Sequence, residues 1–184
     1  MPTTAADLRE VALVEFAASG YQGTSLQTIA ERAGVSKASV LYHYSSKEQL
    51  LEAVLTPALD RVEEILQSVS QLRRGGKSRT EFLETFVDFL LEHRLAVHIF
   101  VNQAGGLVDV PVVDRANREM QRFADYFQQH TGSVEEQVRF GIALGGAAYL
   151  LASDTRLGDG RDVALLRPAL LQILSELLAP VPSN

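Results

Sequence analysis

Cysteine is absent from this chain, so neither a disulfide framework nor a thiolate metal site can hold it together. Long apolar runs are missing too. The longest, residues 141–152, is too short and too rich in glycine to span a bilayer. The N-terminal MPTTAADLRE lacks the basic and then apolar pattern of a secretory signal, so a cytoplasmic protein with no membrane partner is expected. Catalytic signatures are lacking as well: there is no HExxH, GxSxG, Walker loop or dinucleotide fingerprint. His93 and His98 stand five apart and do not share a helix face as an i, i+4 metal pair would. The acids of residues 154–162 lack the EF-hand order, and the basic glycine stretch of residues 73–77 lacks the spacing and preceding strand of a phosphate loop. That stretch reads as a linker. No enzyme activity, metal or cofactor is expected. Strand periodicity and internal repeats are equally absent, which leaves an all-α chain.

What is present is 184 residues with 46% hydrophobic and 22% charged side chains, a globular composition with room for a small domain and a larger one. The net charge of −6 is unevenly spread. Residues 1–48 carry four cations (Arg9, Arg32, Lys37, Lys47) and five acids (Asp7, Glu10, Glu15, Glu31, Glu48), yet no acid falls between Arg32 and Lys47. A surface without carboxylates there suits phosphate, although the field is local rather than broad.

The most informative stretch is residues 24–47, TSLQTIAERAGVSKASVLYHYSSK. Thr24 and Gln27 have capping-box spacing ahead of a helix over about residues 25–33, whose Leu26, Ile29, Ala30 and Ala33 form one apolar face. Gly34 is the expected left-handed terminator, Val35 the plug of the turn, and Ser36 the N-cap of a second helix over about residues 36–44. Val40 and Leu41 are expected to anchor that helix, leaving Lys37, Ala38, Ser39, Tyr42 and His43 outward and Tyr44 buried. Two short helices around a tight glycine turn form the helix-turn-helix device, which lays its second helix in the major groove. Ser46 and Gln49 form another capping box that places Lys47 on the first turn of the next helix, within reach of a phosphate.

These residues carry a family resemblance. Phe16, Gly20-Tyr21, Thr24-Ser25, Ile29-Ala30, Ala33-Gly34-Val35-Ser36, Tyr42-His43-Tyr44, Ser46-Lys47-Glu48 and Leu50-Leu51 together resemble the DNA-binding domain of the tetracycline-repressor (TetR) family, over about residues 4–55. Leu41 departs from it: the family usually has a Tyr there that touches the DNA backbone. The resemblance implies a helix-turn-helix domain over residues 1–48 and a helical effector-binding and dimerisation domain over residues 49–184. It implies that Lys37, Ala38, Ser39, Tyr42 and His43 meet the groove, with Thr24, Ser25 and Lys47 on phosphates.

The remaining residues read as helices. The first spans about residues 4–19, with Thr4 and Asp7 as a capping pair and Leu8, Ala12 and Phe16 as its stripe. Pro57 either kinks the helix that starts at Lys47 or restarts it with Thr56 as cap. Ser78 and Glu81 open a further helix, broken near His93-Arg94 and running to Asn102. Others span about residues 112–129, 133–153 and 163–178, with Ser133 and Glu136 as a capping box and Glu135-Glu136 as a solvated helix start. Phe86, Phe89, His93, Phe100, Gln103, Phe123, Tyr126, Phe127 and Tyr149 form an aromatic and polar mixture that can line a cavity or fill a plain core. In TetR-like proteins an effector pocket occupies this region and the last two long helices pair with their twins. That implies a homodimer through Gly141, Gly145, Ala148, Leu166, Leu170, Ile173 and Leu174. The expectation is a repressor of a palindromic double-stranded DNA operator, released by a small apolar effector. The alternative is a helical ligand-binding dimer acting through a protein partner.

Overall fold

The computed structural model describes residues 4–72, 79–103, 107, 110–130, 132–153 and 163–179. Its order is α1 (Ala5–Ser19), α2 (Leu26–Arg32), α3 (Lys37–His43), α4 (Lys47–Leu72), α5 (Arg79–Glu92), α6 (Arg94–Gln103), α7 (Pro111–His130), α8 (Val134–Phe140), a π-helical turn (Gly141–Gly145), α9 (Gly146–Ser153) and α10 (Val163–Leu177). The fold is all-α. Among the described residues no helix is long and apolar enough to cross a membrane, and no His, Asp or Glu cluster could hold a metal ion. The linker expected at residues 73–77, the Ser78 cap and the turn at residues 154–162 lie outside the described residues.

Local chemistry sets the helix ends of the head. The Thr4 hydroxyl accepts from Asp7 N–H at 3.2 Å, and the Asp7 carboxylate accepts from Thr4 N–H at 2.7 Å, a reciprocal box that also holds the Asp7 carboxyl below its ordinary range. Leu8, Ala12 and Phe16 are fully buried along one face of α1. The helix ends at Gly20, whose φ of +77° few other residues would adopt. The α2 terminus closes as a Schellman turn around Gly34 at φ +68°: Gly34 N–H donates to Glu31 O at 3.2 Å and Val35 N–H to Ala30 O at 2.9 Å. Tyr44 is buried, and its hydroxyl donates to Ala5 O at 2.8 Å, so the end of α3 is tied to the start of α1.

Three expectations about caps shift by one residue. Gln49 accepts from Ser45 N–H at 2.6 Å rather than from Ser46, whose hydroxyl accepts from Gln49 N–H at 3.2 Å. Ser25, not Thr24, caps α2, accepting from Thr28 N–H at 3.0 Å, while Gln27 turns along the helix to Glu31. Glu136 accepts from Gly132 N–H rather than from Ser133, whose hydroxyl still caps α8. Leu41 is a further correction. It is 41% exposed and lies outside the core, whereas Val40 is fully buried. One buried side chain suffices to seat a helix as short as α3.

α4 continues through Pro57 without restarting. Thr56 does not cap; its hydroxyl donates back to Glu52 O at 2.7 Å. The helix belongs to both the head and the body: it packs on α1 at one end and on α5, α6 and α7 beyond. The expected boundary at residues 48/49 therefore falls in its first turn, with no linker. α10 is fastened to α5 by Arg167, whose guanidinium donates twice to Asp88 at 2.6 and 2.9 Å, holding that carboxyl below its usual range. α9 is fastened to α6 through the Ala152 carbonyl, which receives Asn102 Nδ2 at 3.0 Å and faces His98 Nδ1.

The helix expected over residues 133–153 is interrupted by the π turn. Gly141, Gly145 and Gly146 disfavour a regular α ladder, and the wider turn re-aims α9 beyond it. His93 sits between α5 and α6 with its ring 5.4 Å from that of Phe89. Burial pushes its imidazole below the usual range, against a smaller opposing effect of Glu92. The unfolded chain protonates near pH 6.5 and the folded chain only lower. His93 therefore contributes stability that is full above about pH 6.5 and is lost as pH falls through the folded value. Urea denaturation at pH 7.5 and 5.5 is expected to show that acid-side loss, and His93→Gln is expected to reduce it.

Candidate functional site

The outer face of α3 follows from its length and its single anchor. Val40 points inward; Lys37, Ala38, Ser39, Leu41, Tyr42 and His43 are all exposed. At about 100° per residue, Ala38 and Tyr42 stand opposite Val40. Tyr42 is 86% exposed, and its ring meets that of His43 edge-on at 5.2 Å. Ser36 caps the helix, accepting from Ser39 N–H at 3.1 Å, and the two hydroxyls lie 2.9 Å apart. Ser25 is exposed at the start of α2. Arg32 leans on Glu15 at 3.2 Å. This face presents a cation, hydroxyls, an imidazole and a phenol, with no carboxylate among residues 33–46.

Two residues expected on phosphates are engaged elsewhere. Thr24 is 2% exposed, and its hydroxyl donates to Gly20 O at 2.8 Å and Glu15 O at 3.1 Å, sealing the α1–α2 turn. Lys47 Nζ donates to Tyr21 O at 2.9 Å and Thr24 O at 3.0 Å and lies 4.2 Å from the centre of the Tyr21 ring. Two carbonyls of the turn thus hold the ammonium, Tyr21 O accepting from Thr24 N–H as well.

Gln103 was expected in an effector pocket and is found at the same turn. Its Oε1 accepts from Tyr21 N–H at 2.9 Å, and its Nε2 donates to Phe16 O at 2.9 Å. Tyr21 is therefore held at N–H by α6 and at C=O by α4. Its hydroxyl donates to Glu48 at 3.1 Å. Burial first, then the Glu48 charge, pushes that phenol up to about 12. No sequence pattern marks this junction, because its partners lie up to 87 residues apart.

Both helices that reach Tyr21 also line a cavity of about 230 Å³. α4 contributes Leu55, Leu59 and Val62; α5 Phe86 and Phe89; α6 Val97, Phe100 and Val101; α7 Met120 and Phe123; and the π turn and α9 contribute Leu144, Gly145 and Ala148. No lining residue carries a polar side chain, so the space suits a ligand whose buried part needs no hydrogen bond.

Phe86, Phe89, Phe100 and Phe123 thus line the cavity, whereas His93, Tyr126, Phe127 and Tyr149 do not. Phe127 instead packs at tilted angles against Phe82, Phe123 and Phe140 at 4.6–5.9 Å, and Tyr126 meets Phe127 edge-on. Tyr149 is 62% exposed, and Gly145 and Ala148 of the same segment line the cavity. Of the residues expected at the subunit interface, Gly145 is exposed and Ala148 half-buried, and both also line the cavity. Leu170 and Leu174 are buried within their own chain, while Gly141 and Ile173 are exposed and Leu166 half-buried.

The family model described as "Bacterial regulatory proteins, tetR family" matches residues 8–54, which include the whole helix-turn-helix. The HTH-type transcriptional repressor KstR2 of Mycolicibacterium smegmatis is 32% identical over 132 residues, 67% of this chain and 62% of that protein. This chain belongs to the TetR family. The HTH-type transcriptional regulator RutR of Escherichia coli is 53% identical over 49 residues, 27% of this chain and 23% of that protein. The TetR-family chain thus spans less than two thirds of the length of either curated relative. The solved ketosteroid transcriptional regulator KstR2 of Mycobacterium tuberculosis superposes with a TM-score of 0.72 at 17% identity, covering 98% of this chain and 95% of that one, a likeness of fold. These TetR-family relatives are transcriptional regulators, not enzymes.

The Lys47 geometry gives a test. Lys47→Met keeps the stem and removes the ammonium from two carbonyls. With solvent access discounted, it is expected to lower unfolding stability by about 1–2 kcal/mol in urea titrations without DNA. Unchanged stability with weakened DNA binding would return Lys47 to a phosphate.

Proposed function

We propose that this chain is a DNA-binding transcriptional repressor that acts as a homodimer on a palindromic operator and is released by a small apolar effector. The observation that carries the reading is the α3 face: six of its seven side chains are exposed on a head whose remaining elements are fixed by caps and a buried core. Lys37, Ala38, Ser39, Tyr42 and His43 read the groove, and Ser25 meets the backbone.

The second copy covers the apolar surface left open on α8, the π turn and α10. Val138, Ile142, Leu165 and Ile173 are exposed there, with Gly141 and Leu166 beside them. Two-fold pairing sets the two α3 helices to read related half-sites. The effector enters the cavity and favours one arrangement of α4 and α6. Both helices hold Tyr21, so the head follows; release requires that the effector bind this arrangement more tightly than the DNA-bound one. The KstR2 described as a ketosteroid regulator supplies the first compounds to assay.

The test is selection of genomic fragments by purified protein, sequenced after washes at two salt concentrations. A palindromic consensus that survives the higher salt is expected. Ile142→Arg is expected to sediment as a monomer and lose the palindrome. Retention that is weak, sequence-blind and salt-sensitive would contradict the reading and favour a ligand-binding dimer without a specific operator.

A further inference from the structure

α3 reads Lys-Ala-Ser-Val-Leu-Tyr-His and contains no Asn, Gln, Arg, Asp or Glu. Those absences bear on what it can recognise. Bidentate reading of adenine calls for Asn or Gln, and cytosine is met by Asp or Glu; guanine takes Arg or Lys, of which only Lys37 is present. The remaining major-groove feature that distinguishes a base is the C5-methyl of thymine, which is read by apolar contact. The exposed face of α3 carries apolar groups where such a contact needs them. Leu41 lies one helical turn from both Lys37 and Ala38, and all three are exposed beside Tyr42. Leu41 also lies outside the core that contains its neighbour Val40. A leucine cannot hydrogen-bond a phosphate, so the role usual for a tyrosine at this position is closed to it.

We propose that Leu41, with Ala38 beside it, is a specificity-determining residue that packs against a thymine C5-methyl in each half-site. Lys37 and the exposed hydroxyls supply the polar contacts around it, and the absence of carboxylates from residues 33–46 leaves the approach to the groove without repulsion. The inference rests on the DNA-binding reading and adds to it a chemical preference at one base position.

The experiment uses the operator recovered by fragment selection and the full chain. Each thymine is replaced in turn by deoxyuridine, which keeps the pairing and removes only the methyl. Binding is read by fluorescence anisotropy for wild type and for Leu41→Ala, an exposed change to a better helix former that leaves the core untouched. The expected result is one thymine per half-site at which deoxyuridine weakens wild-type binding by roughly fourfold, about the value of one buried methyl-sized group. Leu41→Ala is expected to bind the thymine and deoxyuridine forms equally at that position. A wild type indifferent to deoxyuridine everywhere, or a Leu41→Ala that keeps the full methyl effect, would overturn the assignment while leaving the operator intact. Failure to recover any specific fragment would overturn the DNA-binding reading and this one together.

Discussion

The grip on Tyr21 is the constraint from which the other features take their meaning. A single residue between α1 and α2 gives its N–H to Gln103 at the end of α6, its C=O to Lys47 at the start of α4 and its hydroxyl to Glu48. Gly20 makes the turn possible with a positive φ, and Thr24 seals it from the inside. Charge-assisted bonds to a partly buried carbonyl are among the stronger polar contacts a protein can make. Here they are spent on fixing the head rather than on any ligand.

Because α4 and α6 also wall the cavity, the same two helices are in contact with the apolar space and with the base of the helix-turn-helix. Packed interiors do not deform smoothly, so a ligand that changes the spacing of Val62, Phe100 and their neighbours has to move a helix. On the proposed function, that movement reaches α3 through Tyr21 and through the Tyr44 tie to α1. The π turn sets the other wall. It brings Gly145 and Ala148 to the cavity and leaves Ile142 and Tyr149 outside. One irregularity in the helix thus lies between cavity-lining and exposed residues.

How far the sequence could be read depended on the range of the interactions. Capping is local, so Thr4, Ser36, Gly34 and the α1 stripe were legible from spacing alone. Thr24 and Ser25 were not separable, because both are hydroxyls beside a helix start and only burial decides which one caps. Leu41 was misplaced because two consecutive apolar residues on a short helix look alike until the core is known. Among the aromatics, Phe86, Phe89, Phe100 and Phe123 read equally as cavity lining or plain core by composition, and only the family resemblance pointed to a pocket. Tyr149 was drawn in with them because the helix was read as regular across Gly141, Gly145 and Gly146. Gln103 and Lys47 make bonds 82 and 26 residues away in sequence, beyond any pattern a helical period can reveal.

The claim that head and cavity are joined through Tyr21 is tested most directly by amide hydrogen exchange at Tyr21, followed by NMR in the free wild-type protein. Protection close to that of the buried core, lost in Gln103→Ala while the α3 amides keep theirs, is the predicted result. A Tyr21 amide that exchanges in wild type as fast as that of its exposed neighbour Gly23 would contradict the account, because α6 would then have no hold on the turn through Gln103.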